Sequence, residues 1–142
     1  MQQPTDRHPR SFSRLLERTG IRPTRQREAI ARLLFVGDRH VTAEELHLEL
    51  LGAGVRMSLA TVYNTLRQFT DAGLLRELAV DGTRTYFDTN TSNHNHFYVE
   101  SESKVHDIPG NLVRVEGLPP PPAGYAIAHV DVLVRLVKAG EG

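Results

Sequence analysis

Apolar positions recur at helical spacing through the first half of the chain and alternate with polar ones in much of the second. Residues 11–20 predict a short helix that stops at Gly20, a residue suited to a left-handed C-terminal cap. Over 24–36, Ile30, Leu33 and Leu34 fall at helical spacing, and Thr24 can cap the start. Residues 42–54 predict a third helix. It has a Thr42–Glu45 capping box, Leu46, Leu50 and Leu51 facing inward, and glycines at its end. A fourth helix runs over 58–73, from the cap Ser58 to the stop Gly73, with Val62, Leu66 and Phe69 as its apolar stripe.

Residues 74–78 and 84–88 predict two short strands joined through Asp81-Gly82, a hairpin signal. Helices followed at once by a two-stranded hairpin follow the order of a winged helix. On the fourth helix Thr61, Tyr63, Asn64, Arg67 and Gln68 lie off the apolar stripe. Such a face is either solvated or a DNA reader, since Tyr, Asn and Arg reach base edges and phosphates in a major groove.

From residue 89 the character changes. Residues 96–100 and 104–108 are strand-like, and 117–124 form a proline-rich loop. Residues 125–137 predict a longer strand, with Ala126, Ala128, Val130, Val132, Val134 and Leu136 on a buried face and His129, Asp131 and Arg135 opposite. A sheet of this size can hardly bury a stable core alone. Pairing with a second copy solves that and presents two reading helices to a palindromic site. The expected architecture is α+β: a winged helix-turn-helix DNA-binding domain over 1–88, then a small α/β dimerisation and metal-sensing domain over 89–142.

No apolar run approaches the ~18 residues of a membrane span, and no signal-peptide core follows the N-terminal arginines. The expectation is a cytoplasmic protein with no membrane partner. Cysteine is absent, which excludes disulfides, thiolate zinc and iron–sulfur clusters. The net charge of zero hides an asymmetry. Residues 1–87 hold 13 arginines against 10 acids, whereas residues 88–142 hold 4 basic groups against 7 acids. A basic half suits phosphate and an acidic half suits cations. Arg22, Arg25 and Arg27 around the start of the second helix, Arg67 on the fourth and Arg84 in the hairpin are the candidate phosphate contacts. Asn64 is a candidate for reading adenine.

Residues 94–96 read His-Asn-His. On a strand, positions i and i+2 point the same way, so His94 and His96 share one face, either as half a metal site or as two surface imidazoles. His40 before the third helix, Asp88 at the end of the hairpin and Asp107 on the next strand are further ligand candidates. Imidazole and carboxylate without sulfur suit Fe²⁺, Mn²⁺ or Zn²⁺. His8 falls in the N-terminal tail, His47 on a helix surface, and His106 on the face opposite Asp107. No His-Glu-x-x-His, Gly-x-Ser-x-Gly, Walker or Gly-x-Gly-x-x-Gly pattern occurs. A sensor, not an enzyme, is therefore the first reading. A small His/carboxylate metalloenzyme and a metal-storage dimer are the alternatives. In a sensor the ion would sit where two domains join and set their angle.

The segments GIRPTRQREAI (20–30), HVTAEEL (40–46), LATVYNTLRQFTDAGLL (59–75), YFDTNTSNHNHFYVE (86–100) and AHVDVLVRL (128–136) resemble the Fur (ferric uptake regulator) family of metal-dependent transcription factors. Residues 86–98 and the Asp107-Ile108-Pro109 stretch are most similar to its Irr (iron response regulator) subfamily. The resemblance implies a winged helix followed by a small α/β dimerisation domain, acting as a homodimer on AT-rich palindromic DNA. It implies that Tyr63 touches thymine and that His40, Asp88, His94, His96 and Asp107 hold a regulatory Fe²⁺ or Mn²⁺, with Zn²⁺ as the other choice. His129 lies near a ligand position of a second site. Irr-like members respond to haem as well as iron and regulate iron and haem homeostasis; manganese, zinc and peroxide sensors share the architecture. There are departures. The family's structural zinc site, built from four cysteines, is absent, Val99 and Glu102 standing where its first pair falls. Asn95 also interrupts what is often a run of three histidines, which weakens any haem site there.

Overall fold

The computed structural model of the chain describes residues 9–81 and 84–140. The chain divides into two compact units, residues 1–91 and 92–142. His8 and the Gly82 half of the hairpin signal lie outside the described residues.

The first unit contains α1 (Pro9–Arg18), α2 (Arg25–Leu34), β1 (His40–Val41), α3 (Ala43–Gly52), α4 (Leu59–Asp71), β2 (Arg76–Ala79) and β3 (Thr85–Asp88). The helices start where side chains can satisfy their orphan N–H groups. Thr24 accepts from the Arg27 amide at 3.1 Å and Ser58 from the Thr61 amide at 3.1 Å. Thr42 and Glu45 form a reciprocal capping box. Gly20 and Gly73 adopt positive φ just past α1 and α4, where a side chain would be strained. Leu16, Ile30, Leu34, Leu46, Leu50, Val62, Leu66 and Phe69 form the buried core, joined by Phe87 from β3. Leu51, expected to face inward, is 46% exposed: the inward stripe of α3 is Leu46 and Leu50, and Leu51 is turned off it.

The unit's sheet is antiparallel in the order β1-β3-β2. Strand β1 is only two residues long and pairs His40 with Asp88. The loop before it is fastened tightly. The Arg39 amide donates to Thr89 Oγ1 at 2.9 Å, the Thr89 amide donates to the Arg39 carbonyl at 3.0 Å, and the Arg39 guanidinium holds Glu49 through both carboxylate oxygens. His47 is not a free surface residue either. Its Nε2 donates to the Met57 carbonyl at 3.0 Å and braces the turn between α3 and α4.

The second unit contains β4 (His94–Val99), β5 (Lys104–Pro109), a single 3₁₀ turn (Gly110–Leu112) and β6 (Leu133–Leu136). The sheet order is β5-β4-β6, with β5 antiparallel and β6 parallel to β4. Two expectations are corrected. The predicted strand over 125–137 is confined to Leu133–Leu136, and the α/β character is lost because no α-helix occurs among the unit's described residues. Four consecutive prolines (119–122) cannot donate to a helix or a ladder, and Gly117 and Gly124 flank them at positive φ. Val130 is 36% exposed and Val132 and Val134 only half-buried, so the three are not core within one chain. Asn95 holds the incoming segment instead, its Oδ1 accepting from the Val132 amide at 3.1 Å. No helix among the described residues is long and apolar enough to cross a membrane.

Candidate metal centre and nucleic-acid interface

In the first unit the β1–β3 register sets His40 opposite Asp88, with His40 Nε2 3.2 Å from Asp88 Oδ2. Asp88 is buried, and its other oxygen accepts from the Asn90 amide at 2.9 Å, which fixes the carboxylate's orientation.

In the second unit the β4–β5 register sets His96 opposite Asp107, with His94 on the same face two residues before. Asp107 Oδ1 lies 3.3 Å from His94 Nε2 and 3.5 Å from His96 Nε2. Both imidazoles are buried. A carbonyl only accepts, so the 2.7 Å contact between His94 Nδ1 and the Ser92 carbonyl places the proton on Nδ1. The lone pair of a neutral His94 is then on Nε2, facing a carboxylate oxygen. Asp107 itself is partly open to solvent. Two acceptors this close, one of them on a buried ring, nevertheless favour a cation between or beside them, and a carbonyl that orients the far nitrogen is how ligating histidines are held. The donor set of two imidazoles and a carboxylate fits a first-row divalent ion.

The unit's other histidines, His106 and His129, the second of them the candidate for a further site, stand apart. His106 is exposed on the opposite face of β5, paired with Phe97. His129 is exposed outside any strand, with its Nε2 3.0 Å from Asp131 Oδ2.

On α4, Asn64 and Arg67 are exposed, whereas Thr61 is half-buried and its hydroxyl lies 2.9 Å from that of the cap Ser58. Tyr63 is half-buried and under the influence of Glu44 on α3. Burial, and then the charge and hydrogen bond of Glu44, push its pKa above the ordinary tyrosine value. The periodicity of α4 places Tyr63 off the apolar stripe but says nothing of this partner on another helix. Arg22 and Arg25 are exposed, and Arg27 folds back to donate to the Arg22 carbonyl at 2.7 Å. Arg84 is exposed at the tip of the β2–β3 hairpin, its amide donating to Asp81 Oδ1 at 2.9 Å.

Comparison with known proteins bears on the whole arrangement. The peroxide operon regulator of Bacillus subtilis is 40% identical over 116 residues, covering 80% of this chain and 79% of that protein. The peroxide-responsive repressor PerR of Staphylococcus epidermidis is 40% identical over 93 residues, or 66% of this chain and 62% of that protein. The manganese-containing ferric uptake regulator of Pseudomonas aeruginosa superposes with a TM-score of 0.66 at 25% identity, covering 89% of this chain and 97% of that one. The Vibrio cholerae regulator shares the fold, with a TM-score of 0.69 at 22% identity over 89% of this chain and 98% of that one. The model of the ferric uptake regulator family matches residues 18–129, which take in α2 to α4, both sheets' first strands and every donor from His40 to Asp107. On that match the chain belongs to the ferric uptake regulator family.

Proposed function

We propose that the chain is a metal-dependent transcriptional repressor of the peroxide-responsive class. The observation that carries the metal is the His94–Asp107–His96 arrangement, with the proton of His94 held on the nitrogen turned away from the carboxylate. A single Fe²⁺ or Mn²⁺ would draw on these three residues and on His40 and Asp88. Zn²⁺ is the competing ion, since the same ligands accept it. When bound, such an ion would supply positive charge to these donors and, as Fe²⁺, reactivity toward peroxide. The peroxide class is favoured by the relatives at 40% identity, both named as peroxide regulators. Nothing comparable supports an Irr-type response to haem. Asn95, the residue between the two histidines, is buried and engaged with the Val132 amide.

The partner is double-stranded DNA. The α2–α3–α4 helices with the β2–β3 hairpin serve as a winged helix, with α4 as the reading helix. Tyr63, Asn64 and Thr61 face bases, and Arg22, Arg25, Arg27, Arg67 and Arg84 face phosphate. The active form is a homodimer built through the second unit. Leu112, Leu118, Tyr125, Ile127 and Val137 are exposed apolar side chains of that unit, available for a second copy to cover. Two copies put two reading helices on an AT-rich palindrome, in the compartment that holds the DNA. The family role is regulatory, and the function is not that of an enzyme.

Fluorescence anisotropy on such a palindrome tests the class. Peroxide should release DNA from the Fe²⁺-loaded protein and leave the Mn²⁺-loaded protein bound. Release from neither form removes the peroxide class and leaves metal dependence standing.

A further inference from the structure

The first unit carries a basic cleft that the assignments above leave mostly unused. An open cavity of about 510 Å³ runs along α2 and the turn joining α3 to α4, lined by Arg25, Glu28, Ala29, Arg32, Val55 and Arg56 among others. Arg25 and Arg32 are seven residues apart, so they stand on one face of α2, separated by about 10 Å along its axis. The small side chain of Ala29 between them keeps the groove open. Arg56 comes from the other wall, two residues before Ser58, the cap of α4. All three arginines are exposed, and no described residue pairs with their guanidinium groups. The acid in the cleft, Glu28, accepts from Ser13 Oγ at 2.8 Å, which ties its carboxylate toward α1.

Three guanidiniums spread over this length suit a row of phosphates better than one compact anion. One DNA strand advances ~3.4 Å per phosphate along the helix axis, so the span of Arg25 and Arg32 corresponds to roughly three nucleotides. The position of Arg56 gives the row a direction. In helix-turn-helix proteins the N-terminal end of the reading helix meets base edges while the helix before it crosses the backbone, so a residue in the turn between the two stands close to that backbone.

We propose that this cleft is a DNA-backbone contact, with Arg32 and Arg56 joining Arg25 on the phosphates that border the groove entered by α4. The proposal rests on the DNA-binding role given above.

The test is operator and random-sequence DNA binding of the Mn²⁺-loaded full chain across a salt series. It compares the wild type with the doubly substituted Arg32→Gln/Arg56→Gln and Arg32→Lys/Arg56→Lys proteins. Each phosphate contact contributes about 0.9 to the log–log salt slope. The glutamine protein should therefore lose about two from the slope and weaken on both DNAs alike, while the lysine protein keeps most of both. An unchanged slope in the glutamine protein overturns the cleft's role and leaves the DNA-binding role intact. Loss on the operator alone also overturns it, since backbone contacts do not read sequence. Pyrophosphate binding that the glutamine protein loses, with DNA affinity unchanged, reassigns the cleft to small anions. A wild type that binds no DNA under any metal removes the proposal and the function together.

Discussion

Asp107 presents one oxygen to two imidazole nitrogens of the neighbouring strand, so its charge and not its shape decides what the cluster can hold. Asp107→Asn keeps the volume and removes the charge. It should lower Mn²⁺ affinity by at least ~10-fold in competition titrations, the scale on which support of a metal site is felt, while His106→Ala on the other face should leave affinity unchanged. Gly110 shows how closely this cluster is framed. A Cβ there would strike the Asn93 carbonyl oxygen, next to His94. Gly110→Ala should destabilise the fold by about 1–3 kcal/mol in denaturant unfolding, the usual range for overpacking, and weaken metal binding with it. Tyr63 offers a pH-dependent test. Its folded pKa lies above the unfolded value, mainly through burial and then through Glu44, so its contribution to stability is constant below the unfolded tyrosine pKa and falls as pH rises through it. Tyrosinate absorbance should show Glu44→Gln bringing this pKa part of the way down, because burial persists. No movement would mean that Glu44 is not its partner.

At the scale of elements, the helices were legible because their ends carry chemistry as well as periodicity. Thr24, Thr42 with Glu45, and Ser58 each make the capping bond that the sequence offers. The strand His40–Val41 was not legible, since two residues have no period. What forms it is a set of contacts remote in sequence, between Arg39 and Thr89 and between His40 and Asp88. The candidate ligands were nominated one by one from residue type, but the β4–β5 register that sets His96 across from Asp107 is a property of the folded sheet. The alternation over 126–136 misled in the other direction. It predicts one buried face, yet Ala126, Ala128 and Val130 are exposed outside any strand, and regular pairing covers only Leu133–Leu136. Thr89→Val tests the fastening of β1. It orphans the Arg39 amide and removes the bond to the Gly37 carbonyl, at a cost of about 1–3 kcal/mol in unfolding. It should also reduce metal affinity through His40, and an unchanged affinity would show that His40 takes no part.

At the scale of the whole molecule, the two ends of the proposed function are separated along the chain. Arginines dominate residues 1–87, and acids dominate residues 88–142. On the proposed function DNA is met within residues 1–87. The cation is held by donors from both stretches, His40 in the first and Asp88, His94, His96 and Asp107 in the second. The regulatory step is the coupling between the two ligands. A coupling of about 1–3 kcal/mol corresponds to roughly 5–150-fold in DNA affinity. Linkage is reciprocal, so operator DNA should tighten Mn²⁺ binding by the same factor. The most direct measurement is operator anisotropy for the wild type and His94→Ala, each with chelator and with Mn²⁺. The metal should tighten wild-type binding within that range and leave His94→Ala at the chelated value. Equal affinity of the wild type with and without metal, or a His94→Ala protein that responds as the wild type does, would contradict the account.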